Sequence, residues 1–224
     1  MNKKTALLVG ATGLVGNELL QILVDSQKYE KIIALVRRPL EMKHPNLLEV
    51  ICDFERLEEV EQYLKADDVF CTLGTTIKKA KTKEAMYRID VEYPIAIAKM
   101  AREKGAKQFL IVSSMNANKE SRLWYPRMKG ELEEKLKGIP YEAMLIFQPS
   151  LLLGDRSEFR LFESIGIWIV RGLGRIFGEK IRSRMGIEAK TVATAMFLVA
   201  QREHKGFHVY STRQMEDIRK SFDI

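Results

Sequence analysis

The sequence predicts an α/β fold: a doubly wound parallel sheet followed by a small C-terminal annex. Three observations predict it. Apolar segments of strand length alternate with longer helical segments, glycines link the first strand to the first helix, and the alternation fades after Gly154. Right-handed crossovers through the intervening helices give a parallel sheet. We therefore expect a core at residues 1–154 and an annex at residues 155–224, packed on the same domain.

Each predicted strand is a run of Val, Ile, Leu and Phe without polar alternation, as in strands covered on both faces. The predicted strands are residues 6–9, 32–36, 48–51, 68–72, 108–112, 143–147 and 207–210. The predicted helices are residues 14–25, 57–65, 82–104, 126–136 and 187–201. In the longest, Ile89, Tyr93, Ile97 and Met100 recur near helical spacing, and Gly105 is a suitable C-cap.

Composition and charge exclude several classes of function. The chain has 224 residues, 46% of them hydrophobic, and a net charge of +7, but acids are interleaved with its basic residues. Nucleic-acid binding needs a concentrated basic patch, so we expect small anionic ligands rather than nucleic acid. The longest apolar stretch, residues 161–178, contains Glu163, Arg171, Arg175 and four glycines. It therefore predicts no membrane span.

Cysteine, histidine and the N-terminal segment point to a cytoplasmic protein without a metal. No secretory signal is recognisable at the start of the chain. Cys52 and Cys71 each end an apolar run, where a reduced core thiol is expected. We expect the three histidines to be far apart; they are His44, His204 and His208. No pair of them has the spacing of metal ligands, so no metal site is expected.

A glycine-rich segment joins the first predicted strand to the first predicted helix. It reads LLVGATGLVG and places Gly10, Gly13 and Gly16 three residues apart. At such a turn the helix offers unpaired N–H groups and the positive end of its dipole, and glycine lets an anion approach the backbone. The GxxGxxG spacing in an alternating strand–helix chain therefore predicts binding of a dinucleotide pyrophosphate. A structural turn without a ligand is the alternative.

Two arginines follow the second predicted strand, where dinucleotide-binding proteins recognise the adenosine ribose. The segment ALVRRP contains Arg37 and Arg38 and has no acid nearby. An Asp or Glu there would hold the 2′-hydroxyl of NAD, whereas guanidinium groups suit the 2′-phosphate of NADP. We therefore expect NADP(H), with Arg37 as the first choice. The alternative is that one arginine is a solvated residue of the loop that begins at Pro39.

A second group of polar residues follows the fifth predicted strand. Ser113 and Ser114 end that strand, and Tyr125 and Lys129 follow, four residues apart and so on one helix face. An ammonium group lowers the pKa of a nearby phenol, and a serine can hold a substrate oxygen while the tyrosine transfers a proton. Either serine suits this role, with Ser114 ranked first; an ordinary surface helix is the alternative for the Tyr–Lys spacing alone. Pro126 predicts that Tyr125 lies at the helix N-cap, which loosens its approach to Lys129.

The whole pattern resembles the atypical short-chain dehydrogenases/reductases, in the branch of the Tat-interacting-protein oxidoreductase. The resemblance covers most of residues 4–156 and is carried by GATGLVG, LVRRP, FCTLGTTIKKA, IDVEYPIAIAKMAREKGAKQFLIVSS, YPRMKGELE and FQPSLLLGDR. It implies a Rossmann fold, an NADP(H) cofactor and a Ser–Tyr–Lys active site. The family often has arginine before the proline of the last segment, where this chain has Gln148.

The resemblance also implies which residues bind the cofactor. In chain order they are Gly10, Thr12, Gly13, Leu14, Val15, Arg37, Arg38, Asp53, Leu73, Gly74, Thr75, Lys129, Pro149, Ser150, Leu152 and Arg156. The first five would cradle the pyrophosphate, and the arginines after the second strand would bind the 2′-phosphate. Asp53 would lie near the adenine amino group, with a helix N-cap as its alternative role. Asp90 is expected to be structural and to pack under the glycine turn.

Together these features predict an NADP(H)-dependent oxidoreductase that reduces a carbonyl, or oxidises an alcohol, of a small molecule. Hydride transfer would use Ser114 or Ser113, Tyr125 and Lys129. The alternative is a non-catalytic redox sensor or partner-binding regulatory protein that holds NADP(H). The apolar segment at residues 161–177 is expected to be core or a dimer contact, with a substrate lid or a membrane-surface helix as alternatives. A homo-oligomer is compatible with this sequence.

Overall fold

The computed structural model describes residues 4–153 and 186–222. Its strands are β1 (Lys4–Val9), β2 (Tyr29–Val36), β3 (Leu47–Ile51), β4 (Asp68–Cys71), β5 (Gln108–Val112), β6 (Ala143–Gln148), β7 (Leu151–Leu153), β8 (Gly186–Glu188) and β9 (Gly206–Ser211). Its helices are α1 (Leu14–Asp25), α2 (Ile77–Ala80), α3 (Lys83–Tyr87), α4 (Tyr93–Glu103), α5 (Trp124–Lys137), α6 (Ala189–Ala200) and α7 (Thr212–Lys220). A 3₁₀ helix spans Leu57–Tyr63, and a π-helical turn spans Arg88–Glu92. The predictions made for Arg156 and for residues 161–177 lie outside the described residues.

Seven strands form one parallel sheet, in the order β3-β2-β1-β4-β5-β6-β9. The chain runs from β1 outward through β2 to β3, then returns to place β4 on the other side of β1. This confirms the predicted doubly wound parallel sheet. A change of direction of this kind opens a crevice at the carboxyl ends of β1 and β4, where ligands bind in such folds.

The central strands are buried on both faces, which explains their continuous apolar sequence. In β1, Ala6 and Leu8 belong to the core under α1, α6 and α7. Leu7 and Val9 belong to the core under the 3₁₀ helix, α4 and α5. All four are fully buried. The sheet is therefore the middle layer between two layers of helices.

The chain after residue 185 extends the same layers. β9 pairs with β6 as the last strand of the sheet, and α6 packs against α1. β7 and β8 form a separate two-stranded parallel ladder. The boundary at residue 154 stays a prediction.

Several elements differ from the sequence prediction. The segment predicted as a helix at residues 57–65 forms the 3₁₀ helix, and the helix predicted at residues 82–104 is interrupted by the π-helical turn. The helix expected to begin at Pro126 begins at Trp124. β7, β8, α2 and α7 were not predicted. A capping box formed by Ser211 and Gln214 marks the start of α7. This sequence pattern could have been used to predict the helix.

Candidate functional site

The turn between β1 and α1 is shaped by glycines that no larger residue could replace. Gly10 has a φ of +90°, and a Cβ on it would lie 2.7 Å from the carbonyl carbon of Thr72. A Cβ on Gly16 would overlap the carbonyl oxygen of Gly10. The Thr72 hydroxyl donates to the carbonyl oxygens of Val9 and Gly10, at 3.0 and 3.1 Å. The start of α1 is therefore held directly against the carboxyl ends of β1 and β4.

The first turn of α1 leaves backbone N–H groups open beside these glycines. Gly13 is the N-cap and offers no capping side chain, and the first turn has no acidic residue. The first helical hydrogen bond runs from the N–H of Asn17 to the carbonyl of Gly13, so the N–H groups of Leu14 and Val15 have no intrahelical acceptor. Thr12 is exposed just before the helix. These groups and the helix dipole form a surface that fits the pyrophosphate of a dinucleotide.

The residues expected to contact the adenosine end follow β2 and β3. Arg37 and Arg38 come directly after β2 and are exposed. Asp53 is also exposed, and its carboxylate accepts a hydrogen bond from the N–H of Glu55 at 3.0 Å. Its carbonyl accepts the N–H of Arg56 at 2.9 Å. These two bonds form a turn just before the 3₁₀ helix. The N-cap of that helix is Arg56, without a capping side chain, so the alternative role of Asp53 as a helix N-cap is wrong. Contact with adenine stays a prediction.

Helix α5 places Tyr125 and Lys129 one turn apart. It begins at Trp124 with Leu123 as N-cap, so Tyr125 lies inside the first turn rather than at the N-cap. The expectation drawn from Pro126 is therefore wrong. At the third helical position a proline removes only an N–H that would have no intrahelical acceptor.

Lys129 is buried and forms an ion pair with Asp90. Its Nζ lies 2.8 Å from Oδ2 of Asp90, and the two side chains are 3% and 2% exposed. The other carboxylate oxygen, Oδ1, accepts the N–H of Thr75 at 2.8 Å. Burial alone would lower the pKa of Lys129, but the negative charge of Asp90 and the hydrogen bond to it outweigh burial, and the pKa is raised. Asp90 thus holds the lysine of the site, while the expectation that it packs under the glycine turn stays a prediction.

Asp90 lies in the π-helical turn, and Pro94 explains why the helix widens there. In a regular α-helix the N–H of residue 94 would donate to the carbonyl of residue 90, and proline has no N–H. Pro94 lies at the start of α4, directly after the turn. Single π-helical turns inside helices occur frequently at functional sites. A proline within the helix predicted at residues 82–104 was thus a signal that could have drawn attention to Asp90.

Tyr125 is partly buried at the start of α5. Burial raises the pKa of its phenol, the ammonium of Lys129 lowers it, the carboxylate of Asp90 raises it, and the nearby hydroxyl of Ser114 lowers it. The net result is a pKa above the ordinary value for tyrosine. The phenol therefore stays protonated at neutral pH, as a proton donor requires.

The two adjacent serines face different partners. Ser114 lies close enough to Tyr125 to lower its pKa, and its hydroxyl donates to the carbonyl of Met115 at 3.3 Å. Ser113 is 5% exposed, and its hydroxyl donates to the carboxylate of Glu133. Ser114 is therefore the serine beside the tyrosine, while Ser113 is engaged elsewhere.

The remaining residues expected to line the cofactor lie at the same edge of the sheet. They follow β4 and β6 and are Leu73, Gly74, Thr75, Pro149, Ser150 and Leu152. The carbonyl of Pro149 accepts the N–H of Met115 at 2.9 Å, and the N–H of Ser150 donates to the hydroxyl of Thr212 at 2.8 Å. The ends of β5, β6 and β9 are thereby tied together beside Ser114.

The predictions made for the histidines and cysteines have different outcomes. His204 and His208 have ring centroids 5.4 Å apart, so the expectation that the histidines are far apart is wrong for this pair. Cys52 and Cys71 are free and buried, which confirms the prediction of core thiols. The described residues hold no cluster of three or more side chains suited to a metal ion. Within residues 4–153 and 186–222, no helix has both the length and the apolar character needed to cross a bilayer.

Comparisons with known proteins cover this same site. A family model described as NAD(P)H-binding matches residues 10–139, from the glycine turn to just beyond α5. Protein HTATIP2 of Rattus norvegicus is 32% identical over 200 residues, which cover 88% of this chain and 81% of that protein. Protein FMP52, mitochondrial, of Candida glabrata is 34% identical over 166 residues, which cover 70% and 68%. The solved structure of MoeE5 in complex with UDP-glucose and NAD shares the fold, with a TM-score of 0.69 at 19% identity over 92% of this chain and 75% of that chain.

Proposed function

Because the chain belongs to the NAD(P)H-binding family, in the branch of the Tat-interacting-protein oxidoreductase, we propose that it is an NADP(H)-dependent oxidoreductase. Its reaction is hydride transfer that reduces a small-molecule carbonyl or, in reverse, oxidises an alcohol. The observation that carries this proposal is the buried ion pair of Lys129 and Asp90, one helical turn from Tyr125. Burying two charges costs several kcal/mol per ion, about as much as their attraction returns. Since the Lys129–Asp90 ion pair adds little net stability, its position beside the phenol of Tyr125 supports a catalytic role better than a structural one.

The open backbone of α1 and the arginines after β2 support the choice of cofactor. The nicotinamide of the bound cofactor supplies or accepts the hydride. The N–H groups of Leu14 and Val15 would bind the pyrophosphate, and Arg37 and Arg38 the 2′-phosphate. No acid follows β2 directly to hold a ribose 2′-hydroxyl, which favours NADP(H) over NAD(H).

The proton chemistry is divided among three side chains. Ser114 Oγ holds the substrate oxygen, and Tyr125 Oη donates its proton to that oxygen as negative charge develops on it. The ammonium of Lys129 stabilises the phenolate left behind. General acid catalysis of this kind contributes about 10²–10⁴ in rate.

NADPH oxidation against a panel of aldehydes, ketones and quinones tests the proposal. Wild type should turn over at least one compound, and Tyr125→Phe should lower kcat by about 10²–10⁴ while it retains NADPH affinity. Tyr63→Phe is the matched control, since it removes a phenol hydroxyl at the end of the 3₁₀ helix. Equal kcat for wild type and Tyr125→Phe would overturn the mechanism.

The alternative function makes the opposite prediction in the same assay. A redox sensor or partner-binding regulatory protein would bind NADPH tightly and turn over none of the compounds. If wild type behaves in this way, the proposal of an oxidoreductase is rejected in favour of a sensor or regulatory protein.

A further inference from the structure

A second polar cluster lies behind Ser114 and has no part in the function proposed above. It consists of Ser113 after β5, Gln148 at the end of β6 and Glu133 in α5. The Ser113 hydroxyl donates to Oε1 of Glu133, and the Gln148 amide donates to both carboxylate oxygens at 3.0 Å each. A single carboxylate on the helix of Tyr125 thus ties together two neighbouring strand ends.

We propose that Glu133 is a positioning residue for Ser114. By holding Ser113, it fixes the backbone at the end of β5 in the orientation that directs the next side chain toward Tyr125. The inference rests on the proposed function, in which Ser114 holds the substrate oxygen.

The backbone around Ser114 supports this role. The N–H of Ser113 donates to the carbonyl of Phe147 at 2.7 Å, and the N–H of Met115 donates to the carbonyl of Pro149 at 2.9 Å. Hydrogen bonds to the β6 segment therefore continue on both sides of Ser114. Successive side chains of an extended segment point to opposite sides, so a held Ser113 determines where Ser114 points.

The carboxylate is also a firm anchor. Burial raises the pKa of Glu133, while the hydrogen bonds from Ser113 and Gln148 lower it and so favour the ionised form. Hydrogen bonds to an ionised acceptor are about twice as strong as those between neutral groups. Glu133 is half-buried and receives such bonds from two strand ends at once. It lies four residues after Lys129, so the same helix presents the lysine, the tyrosine and the anchor of the serine. Helix α5 thereby carries Tyr125 itself and, through the bond from Ser113 to Glu133, holds the strand end that carries Ser114.

Four variants test the proposal. Glu133→Ala removes the anchor, and Ser113→Ala removes the hydroxyl that it holds. Glu133→Gln keeps an oxygen acceptor at the same place. The matched control is Glu134→Ala, which removes the neighbouring exposed carboxylate, paired 4.0 Å away with Lys119.

In steady-state kinetics, Glu133→Ala and Ser113→Ala should each lower kcat about tenfold, less than the about 10²–10³-fold loss typical when a donor to the reacting oxygen is removed. The KM for NADPH should stay at the wild-type value, Glu133→Gln should recover most of kcat, and Glu134→Ala should behave as wild type. If Glu133 acts through Ser114, adding Glu133→Ala to Ser114→Ala should cause no further loss. The proposal would be overturned if Glu133→Ala and Ser113→Ala both kept the wild-type kcat. It would also be overturned if their loss of kcat came with parallel losses of NADPH affinity and melting temperature.

A second measurement is independent of turnover. In protein labelled at tyrosine ¹³Cζ, the resonance of Tyr125, assigned by its absence in Tyr125→Phe, reports how the Ser114 hydroxyl is placed beside the phenol. It should move in Glu133→Ala and Ser113→Ala toward its position in Ser114→Ala, and stay unchanged in Glu134→Ala. An unmoved resonance would reject the role of Glu133. If wild type turns over no compound, the proposed function fails, whereas this resonance still decides whether Glu133 positions Ser114.

Discussion

The ammonium of Lys129 lies 2.8 Å from Oδ2 of Asp90, with both side chains withdrawn from solvent. The second oxygen of Asp90 accepts the N–H of Thr75, in the loop expected to line the cofactor. Lys129 in turn lowers the pKa of Tyr125. One carboxylate, presented by the π-helical turn, thus connects the loop expected to line the cofactor to the lysine beside the tyrosine proposed as proton donor.

Asp90→Asn should lower stability and activity together. The amide oxygen can still accept the N–H of Thr75, but the ammonium of Lys129 is left buried without a counter-charge. Removing one partner of a buried pair costs about 3–5 kcal/mol, and chemical denaturation should show a loss of that size in the free energy of unfolding. NADPH oxidation should fall as well, because an uncompensated buried lysine loses its proton more readily and no longer stabilises the phenolate.

The double variant Asp90→Asn/Lys129→Met is the control for this interpretation. It removes the unpaired charge, so it should recover much of the lost stability and none of the activity. Wild-type turnover in Asp90→Asn would show that the ion pair has no catalytic role.

The pH dependence of carbonyl reduction should report Tyr125. Burial raises the pKa of its phenol, so the rate should be level through neutral pH and fall only as pH rises through that raised pKa. The nearby hydroxyl of Ser114 lowers the same pKa. Ser114→Ala should therefore reduce kcat/KM and move its alkaline limb to higher pH. A limb that stays in place or moves to lower pH would count against the assignment.

The glycine turn and the Tyr–Lys pair were predictable because both depend on residues close together in the chain. Gly10 and Gly16 directly follow a strand, and Tyr125 and Lys129 are one helical turn apart. Strand positions were predictable because strands buried on both faces are apolar throughout. α2 and β7 have four and three residues, too few to display any periodicity.

The partners of these side chains depend on packing between distant segments and were not predictable. Asp90 meets Lys129 only because α5 packs against the π-helical turn. No local pattern distinguishes Ser113 from Ser114, and the difference arises from Glu133, 20 residues away from Ser113. Local sequence thus indicated which residue types form the site, while the tertiary fold determines which of them touch.

Gly10→Ala should abolish cofactor binding. A side chain at a φ of +90° is strained, and the added Cβ would lie 2.7 Å from the backbone of Thr72. Strain and overpacking of this kind cost about 1–3 kcal/mol and would push α1 away from β4. Fluorescence titration should detect no NADPH binding, and the melting temperature should fall.

Gly138→Ala is the matched control for the glycine turn. Gly138 has an ordinary φ of −78°, and an added Cβ would lie 3.5 Å from the nearest atom. This variant should bind NADPH as wild type does. Unchanged affinity in Gly10→Ala would contradict the place assigned to the pyrophosphate.

The arginines after β2 should discriminate NADPH from NADH. Arg37 and Arg38 are exposed there, and a hydrogen bond to a charged group such as the 2′-phosphate contributes about 1.5–3 kcal/mol. By calorimetry, Arg37→Ala should raise the Kd for NADPH by about tenfold to 100-fold, Arg38→Ala by less, and both should leave the Kd for NADH unchanged. Arg56→Ala removes another exposed arginine, paired with Glu59 after the neighbouring strand, and controls for the loss of one positive charge. An equal loss for both nucleotides would mean that the arginines act through net charge, and the preference for NADP(H) would lose its physical basis.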